Sequence, residues 1–184
     1  MRSEWANPDA VKLILTALMP ENRLALEVSM STGLRINDVL SLRTEQVRRA
    51  YDGNGRVTVR EQKTGKNRRV YLRKDLRLRM LQQAGEIYVW PGRCAETKHR
   101  SRTTVYKDLR RAASLYRIDG KKLDAHLSPH SMRKVYAVNE YKRTGDISAV
   151  QRDLRHTDPA VTALYALADV LDERQRKGVR KWKK

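Results

Sequence analysis

Two nearby stretches of this chain alternate apolar and polar side chains between turn signals, Arg56 to Arg60 (RVTVR) and Arg69 to Leu72 (RVYL). A period of two sends successive side chains to opposite faces of a strand. Gly53-Asn54-Gly55 supplies a turn before the first strand, and Thr64-Gly65-Lys66-Asn67 a loop between the two. Two short strands make one small antiparallel hairpin, so the rest of the core has to be built from helices.

Helical spacing is what the remaining apolar residues show. Asn7-Pro8 reads as a cap with proline in the first turn, followed by Val11, Ile14, Leu15 and Leu18, and Pro20 stops the run. A second helix carries Leu24, Val28 and Met30 and ends at Gly33 as its C-terminal glycine. Arg35 follows on the connection into a short helix with Ile36, Val39 and Leu40. Helical patterns return near residues 74–83, 101–117, 131–143, 146–154, 159–168 and 169–177, with no internal repeat and no low-complexity linker. At 184 residues the chain can bury a single sizeable core. The expected fold is α+β, mainly helical, with residues 1–184 as one domain and 169–184 as a basic C-terminal segment.

Lys and Arg total 40 against 21 Asp and Glu, a formal charge of +19. Self-repulsion on that scale points to a polyanion as partner. The basic residues are spread along the chain rather than gathered on one amphipathic helix, which favours nucleic acid over an anionic membrane surface. No apolar run approaches the ~20 residues that span a bilayer, and no signal peptide precedes the first polar segment. Cys94 is the only cysteine. An internal disulfide and a cysteine-based zinc site are thereby excluded, and a reducing cytoplasm is expected. His126 and His130 are four apart, but Ser128-Pro129 breaks the helix that a metal pair would need, so neither metal nor cofactor is expected.

The residues with chemistry in them follow a pattern. Ser128-Pro129 reads as an N-cap and first helical residue, which puts His130 and Arg133 on one face of the opening turns. A helix start also adds positive potential suited to a phosphate, although a solvated basic helix end has the same appearance. His156 lies just ahead of the cap Asp158-Pro159, and Tyr165 falls one turn after Val161 and next to Leu164, where an ordinary packing tyrosine would also sit. Arg35 and Lys63 supply cations at the ends of predicted elements. Lys66 lies in the same turn as Lys63; either could be presented, and Lys63 is favoured by its place at the strand end. Arg35, Lys63, His130, Arg133, His156 and Tyr165, with no carboxylate pair among them, describe a site that attacks a phosphodiester through a tyrosine.

Three stretches carry a resemblance. "TGLRINDVLSL" resembles the first arginine box of the tyrosine recombinase (phage integrase) family, with Asp38 at its acidic position. "LSPHSMRKVYA" resembles the His-x-x-Arg box, and "LRHTDPAVTALY" the Leu-Gly-His…Tyr stretch with the same interval of nine. The likeness runs from about residue 8 to about residue 170. It implies the family's catalytic domain: a site-specific recombinase or integrase that cleaves and rejoins double-stranded DNA. Tyr165 would form a 3′-phosphotyrosyl link and release a 5′-hydroxyl. Arg35 and Arg133 would hold the non-bridging oxygens, Lys63 would protonate the leaving oxygen, His130 would assist proton transfer at the tyrosine, and His156 would donate to the phosphate. Bond energy kept in the phosphotyrosine removes the need for ATP or metal.

Departures from the pattern are expected to matter. Arg155 stands where the family has glycine, crowding the site or adding a phosphate contact, and Ala166-Leu167 follows the tyrosine in place of Thr-His. The N-terminal DNA-clamping domain of ~80–100 residues is expected to be absent, since the first box begins near residue 31, making this a catalytic fragment or a minimal member. Arg174 to Lys184 holds seven basic residues and Trp182. That stretch is either a solvated tail or, as the family implies, a segment that packs on a neighbouring protomer in a tetramer on DNA. Two alternatives stand beside this reading: a type IB topoisomerase-like strand transferase, which shares the two arginines, lysine, histidine and tyrosine but is disfavoured by His156 and its compact spacing to Tyr165, and a non-catalytic basic DNA-binding module of the same fold.

Overall fold

Helix order in the computed structural model, which describes residues 8–118, 121–122, 127–155, 160 and 162–163, follows the apolar periodicity closely. The elements are α1 (Pro8–Thr16), α2 (Pro20–Thr32), α3 (Ile36–Leu40), α4 (Thr44–Asp52), β1 (Arg56–Arg60), β2 (Asn67–Tyr71), α5 (Lys74–Gln82), α6 (Arg102–Ser114), β3 (Arg117–Ile118), β4 (Lys121–Lys122), α7 (Pro129–Thr144) and α8 (Ile147–Leu154).

The central element is α2. It packs against α7, α3 and α5, with Leu24, Ala25, Leu26 and Val28 fully enclosed. Burying a Val or Leu side chain is worth roughly 1.5–3 kcal/mol, so this helix anchors much of the core. Pro20 is its first residue rather than only a stop for α1. Asp108 of α6 braces the start of α2, accepting from the backbone N–H of the N-cap Met19 at 2.9 Å and from the Asn22 side-chain amide at 2.8 Å. At the other end Gly33 adopts φ 66 and donates its N–H to Ser29 O at 2.9 Å. A Cβ on Gly33 would lie 2.7 Å from the Tyr136 ring, so both backbone angle and space call for glycine here.

Strands β1 and β2 pair antiparallel from Arg56↔Tyr71 to Arg60↔Asn67. Val57, Val59 and Val70 face inward, as the alternation requires. The second strand starts two residues earlier than its apolar pattern suggests. A smaller cluster of Ala137, Val150 and Leu154, flanked by Tyr136 and Tyr141, joins α7 to α8.

Two elements depart from the expected layout. Helix α4 has only Thr44, Val47 and Ala50 buried among charged neighbours, too narrow a stripe to stand out in the sequence, and it is held by packing on α5 and β1. The helix expected over 101–117 ends at Ser114, and Arg117–Ile118 pairs with Lys121–Lys122 in a second hairpin. Asp119-Gly120, a turn signal in the sequence, separates those strands. Of the helical patterns expected over 159–168 and 169–177, Ala160, Thr162 and Ala163 are helical, and the rest lies outside the described residues.

Candidate active site

The first arginine box is delivered by the abrupt end of α2. After the left-handed Gly33, Leu34 is buried and Arg35 becomes the extended N-cap of α3, its side chain 22% exposed. His130 and Arg133 come from the first turns of α7, whose cap Ser128 accepts the His130 N–H at 3.2 Å. Lys63 comes from the six-residue connection between β1 and β2, where it is exposed. These four side chains line one cavity of about 670 Å³. Lys66 is not part of that lining, which favours Lys63 of the two lysines in the turn.

Arg133 is the fixed point of the site. It is 1% exposed, with Nη1 donating to Gly33 O and Nη2 to Leu154 O at 2.9 Å. One guanidinium thus ties the C-terminus of α2 to that of α8. Asp38 Oδ1 accepts from Gln62 N at 2.9 Å, and Asn37 Nδ2 donates to Gln62 Oε1 at 3.1 Å, so α3 holds the outer side of the Lys63 turn.

A buried carboxylate organises the arginines. Glu61 is fully enclosed, with Oε1 3.5 Å from Arg35 Nη1 and 3.8 Å from Arg68 Nη1, and Oε2 3.6 Å from Arg155 Nη1. Arg68 donates onward to Thr32 O at 2.8 Å. Four guanidiniums (Arg35, Arg68, Arg133, Arg155) meet three carboxylates, Glu61 and Asp38 among them and Asp153 acting on Arg68, a surplus of one positive charge before Lys63 is counted. Such a surplus suits an anion.

Proton affinities record the same crowding. Desolvation in the packed site, then Arg133, Lys134, Arg35 and Lys63, bring His130 down to about 4, although the residue as a whole is exposed. Its imidazole is therefore neutral at pH 7 and able to take a proton. Burial first, and then Arg35 and Arg68, lower Arg133 to about 10, which leaves it charged. Burial raises Asp38 against the pull of the Gln62 amide and Arg35. Tyr136 is pushed up by burial and by Asp153, to which its hydroxyl donates at 3.1 Å, so it is unsuited to act as a nucleophile.

His156 and Tyr165 lie outside the described residues. Arg155, immediately before His156, ends α8 in the left-handed region, with φ 51 and ψ 45. That geometry supplies a physical reason for glycine at this position in the family's pattern. Glu61 and Arg68 were not singled out by sequence reasoning, yet a signal existed. Inward parity on β1 runs through Val57 and Val59 to 61, and on β2 through 68 and Val70, so a charged pair was due on the buried face. Arg102, Thr103 and Tyr106 of α6 also line the cavity, and only their helical spacing hinted at a shared face. Among the described residues, no three His, Cys, Asp or Glu side chains gather as a metal site. No described helix is long and apolar enough to cross a membrane.

Known proteins share this sequence and architecture. A probable integrase/recombinase, YoeC of Bacillus subtilis, is 26% identical over 140 residues, covering 74% of this chain and 71% of its own. The tyrosine recombinase XerC of Pseudomonas aeruginosa is 31% identical over 169 residues, 85% of this chain but 52% of the relative. A crystal structure of a lambda integrase dimer bound to a COC′ core site superposes with a TM-score of 0.68 at 19% identity, over 90% of this chain and 60% of that one. The chain therefore spans about half the length of the Xer recombinase it matches. Residues 4–171 match the phage integrase family, and the chain belongs to that family.

Proposed function

We propose that this chain is the catalytic domain of a site-specific recombinase or integrase that cleaves and rejoins double-stranded DNA through Tyr165. The observation that carries the proposal is the convergence of Arg35, Lys63, His130 and Arg133, from three separate parts of the chain, on one cation-rich cavity. In the proposed reaction the Tyr165 oxygen attacks the scissile phosphorus, a 3′-phosphotyrosyl bond forms, and the P–O5′ bond breaks. Neutral His130 accepts the phenolic proton, and Lys63 gives one to the departing 5′-oxygen. Arg35 and Arg133 hold the non-bridging oxygens with fixed charge, and His156 donates to the same phosphate. A 5′-hydroxyl from another strand then reverses the steps, so no external energy source enters.

DNA affinity is supported by the +19 charge, and the lambda integrase dimer on its core site supports self-association on DNA. We assign the working assembly as a tetramer around two duplexes, in which the basic 174–184 segment meets a neighbouring protomer. The test is a duplex nicked near the cleavage point, which lets the 5′-product diffuse away. It should trap a covalent adduct whose peptide carries DNA on Tyr165, and Tyr165→Phe should abolish the adduct while keeping DNA binding. Adduct on Tyr106, the tyrosine that lines the cavity, or undiminished adduct in the phenylalanine variant, would overturn the assignment.

A further inference from the structure

Arg155 is the only non-glycine residue with positive φ among the described residues. An L-residue is disfavoured there, and glycine would be at ease. The side chain, however, reaches across to the hairpin. Its Nη2 donates to Asn67 O at 2.7 Å, and its Nη1 lies 3.6 Å from Glu61 Oε2. Glu61 opens the connection that carries Lys63, and Asn67 is the first residue of β2 just after it. Glu61 also closes that connection internally: its N–H donates to Lys66 O at 3.0 Å, and its carbonyl accepts from Gly65 N at 2.8 Å. Its Oε2 accepts the Thr64 hydroxyl at 2.9 Å. One guanidinium therefore grips both feet of the turn, from the residue that directly precedes His156 in the chain.

We propose that Arg155 is a positioning residue that locks the Lys63 turn to the C-terminus of α8, coupling the part of the chain that carries Lys63 to the part that carries His156. The inference rests on the strand-transfer function proposed above. Asp38 and Asn37 hold the turn from α3, and Arg155 holds it from the C-terminus of α8. With both grips in place, Lys63 occupies a defined position beside the cavity, as proton delivery to a single oxygen requires.

The test compares the parent, Arg155→Gly and Arg155→Lys in the full chain. Glycine suits the backbone angle and offsets part of the loss of the Asn67 and Glu61 contacts, so the Gly variant should still unfold cooperatively within a few degrees of the parent, which separates positioning from folding. Amide hydrogen exchange across residues 61–67 of the DNA-free protein should quicken about tenfold in the Gly variant. Single-turnover adduct formation at saturating nicked duplex should slow by roughly one to two orders of magnitude. The Kd for DNA should stay within about threefold, since one cation is a small share of a many-phosphate interface. Lysine, which keeps the charge and one donor at a time, should recover part of the rate. Parent-like exchange over 61–67 in the Gly variant, or a parent-like adduct rate, overturns the proposal. A parent protein that forms no adduct overturns the strand-transfer function and this proposal with it.

Discussion

Replacing Arg133 by alanine should cost the protein stability as well as chemistry. The side chain is 1% exposed and anchors two carbonyls from different helices, Gly33 O and Leu154 O. A buried carbonyl left without its donor costs about 1–3 kcal/mol. The Gly33 carbonyl suffers less, because Arg68 Nη1 lies 3.4 Å away and can close in. A void where the guanidinium stood adds to the loss. Against this, alanine removes one cation from a crowd that already lowers Arg133 to about 10. The balance is a loss of about 2–4 kcal/mol, or roughly 4–16 °C in Tm for a chain of this size. Arg35→Ala is the control: 22% exposed at a helix N-cap, it should lose under about 1 kcal/mol while adduct formation falls roughly 10²–10³-fold. Urea titration with unchanged slope measures both. If Arg133→Ala were as stable as the parent yet inactive, the carbonyl anchoring would be idle and the account given for α2 and α8 would be wrong.

Gly33→Ala should destabilise the fold by about 2–4 kcal/mol, from the left-handed backbone and the 2.7 Å approach to Tyr136, read by thermal melting; a loss under about 0.5 kcal/mol would refute the packing argument. His130 should titrate near 4 by NMR in the free protein and rise when a DNA phosphate offsets the cations around it; an ordinary value near 6.5 without DNA would show that burial and the surrounding cations do not act on it as described. Because its folded value lies below the unfolded one, the unfolded chain binds more protons between pH 6.5 and about 4. Stability from this group therefore falls as pH drops through that window and is unaffected above it.

What was legible in the sequence is what local rules govern. The stop at Gly33, the cap at Ser128-Pro129, the inward valines of β1 and the pairing of His130 with Arg133 on one helical face all depend on residues within a turn or two of each other. Helix α4 escaped because its buried stripe is only three residues wide and long-range packing on α5 holds it. Glu61 escaped for a different reason. A glutamate at a strand end reads as solvated unless its parity is followed through Val57 and Val59. The arginines that make its burial tolerable come from 26 residues upstream (Arg35) and 94 downstream (Arg155).

The choice of anchors explains how a site can collect cations without cancelling them. Had each arginine been given its own carboxylate, the guanidiniums would be well held but electrically spent before a phosphate arrived. Instead Arg133 is fixed by two neutral carbonyls, which accept its hydrogen bonds and leave its charge intact. Arg68 is treated in the same way, through Thr32 O and Gly33 O. The single charge of Glu61 is divided among Arg35, Arg68 and Arg155 at 3.5–3.8 Å, ion-pair distances too long for good hydrogen bonds. One shared anion is enough to keep three cations together and too little to satisfy any of them. The surplus is the preorganised field that the scissile phosphate of the proposed reaction would meet, already oriented before DNA arrives.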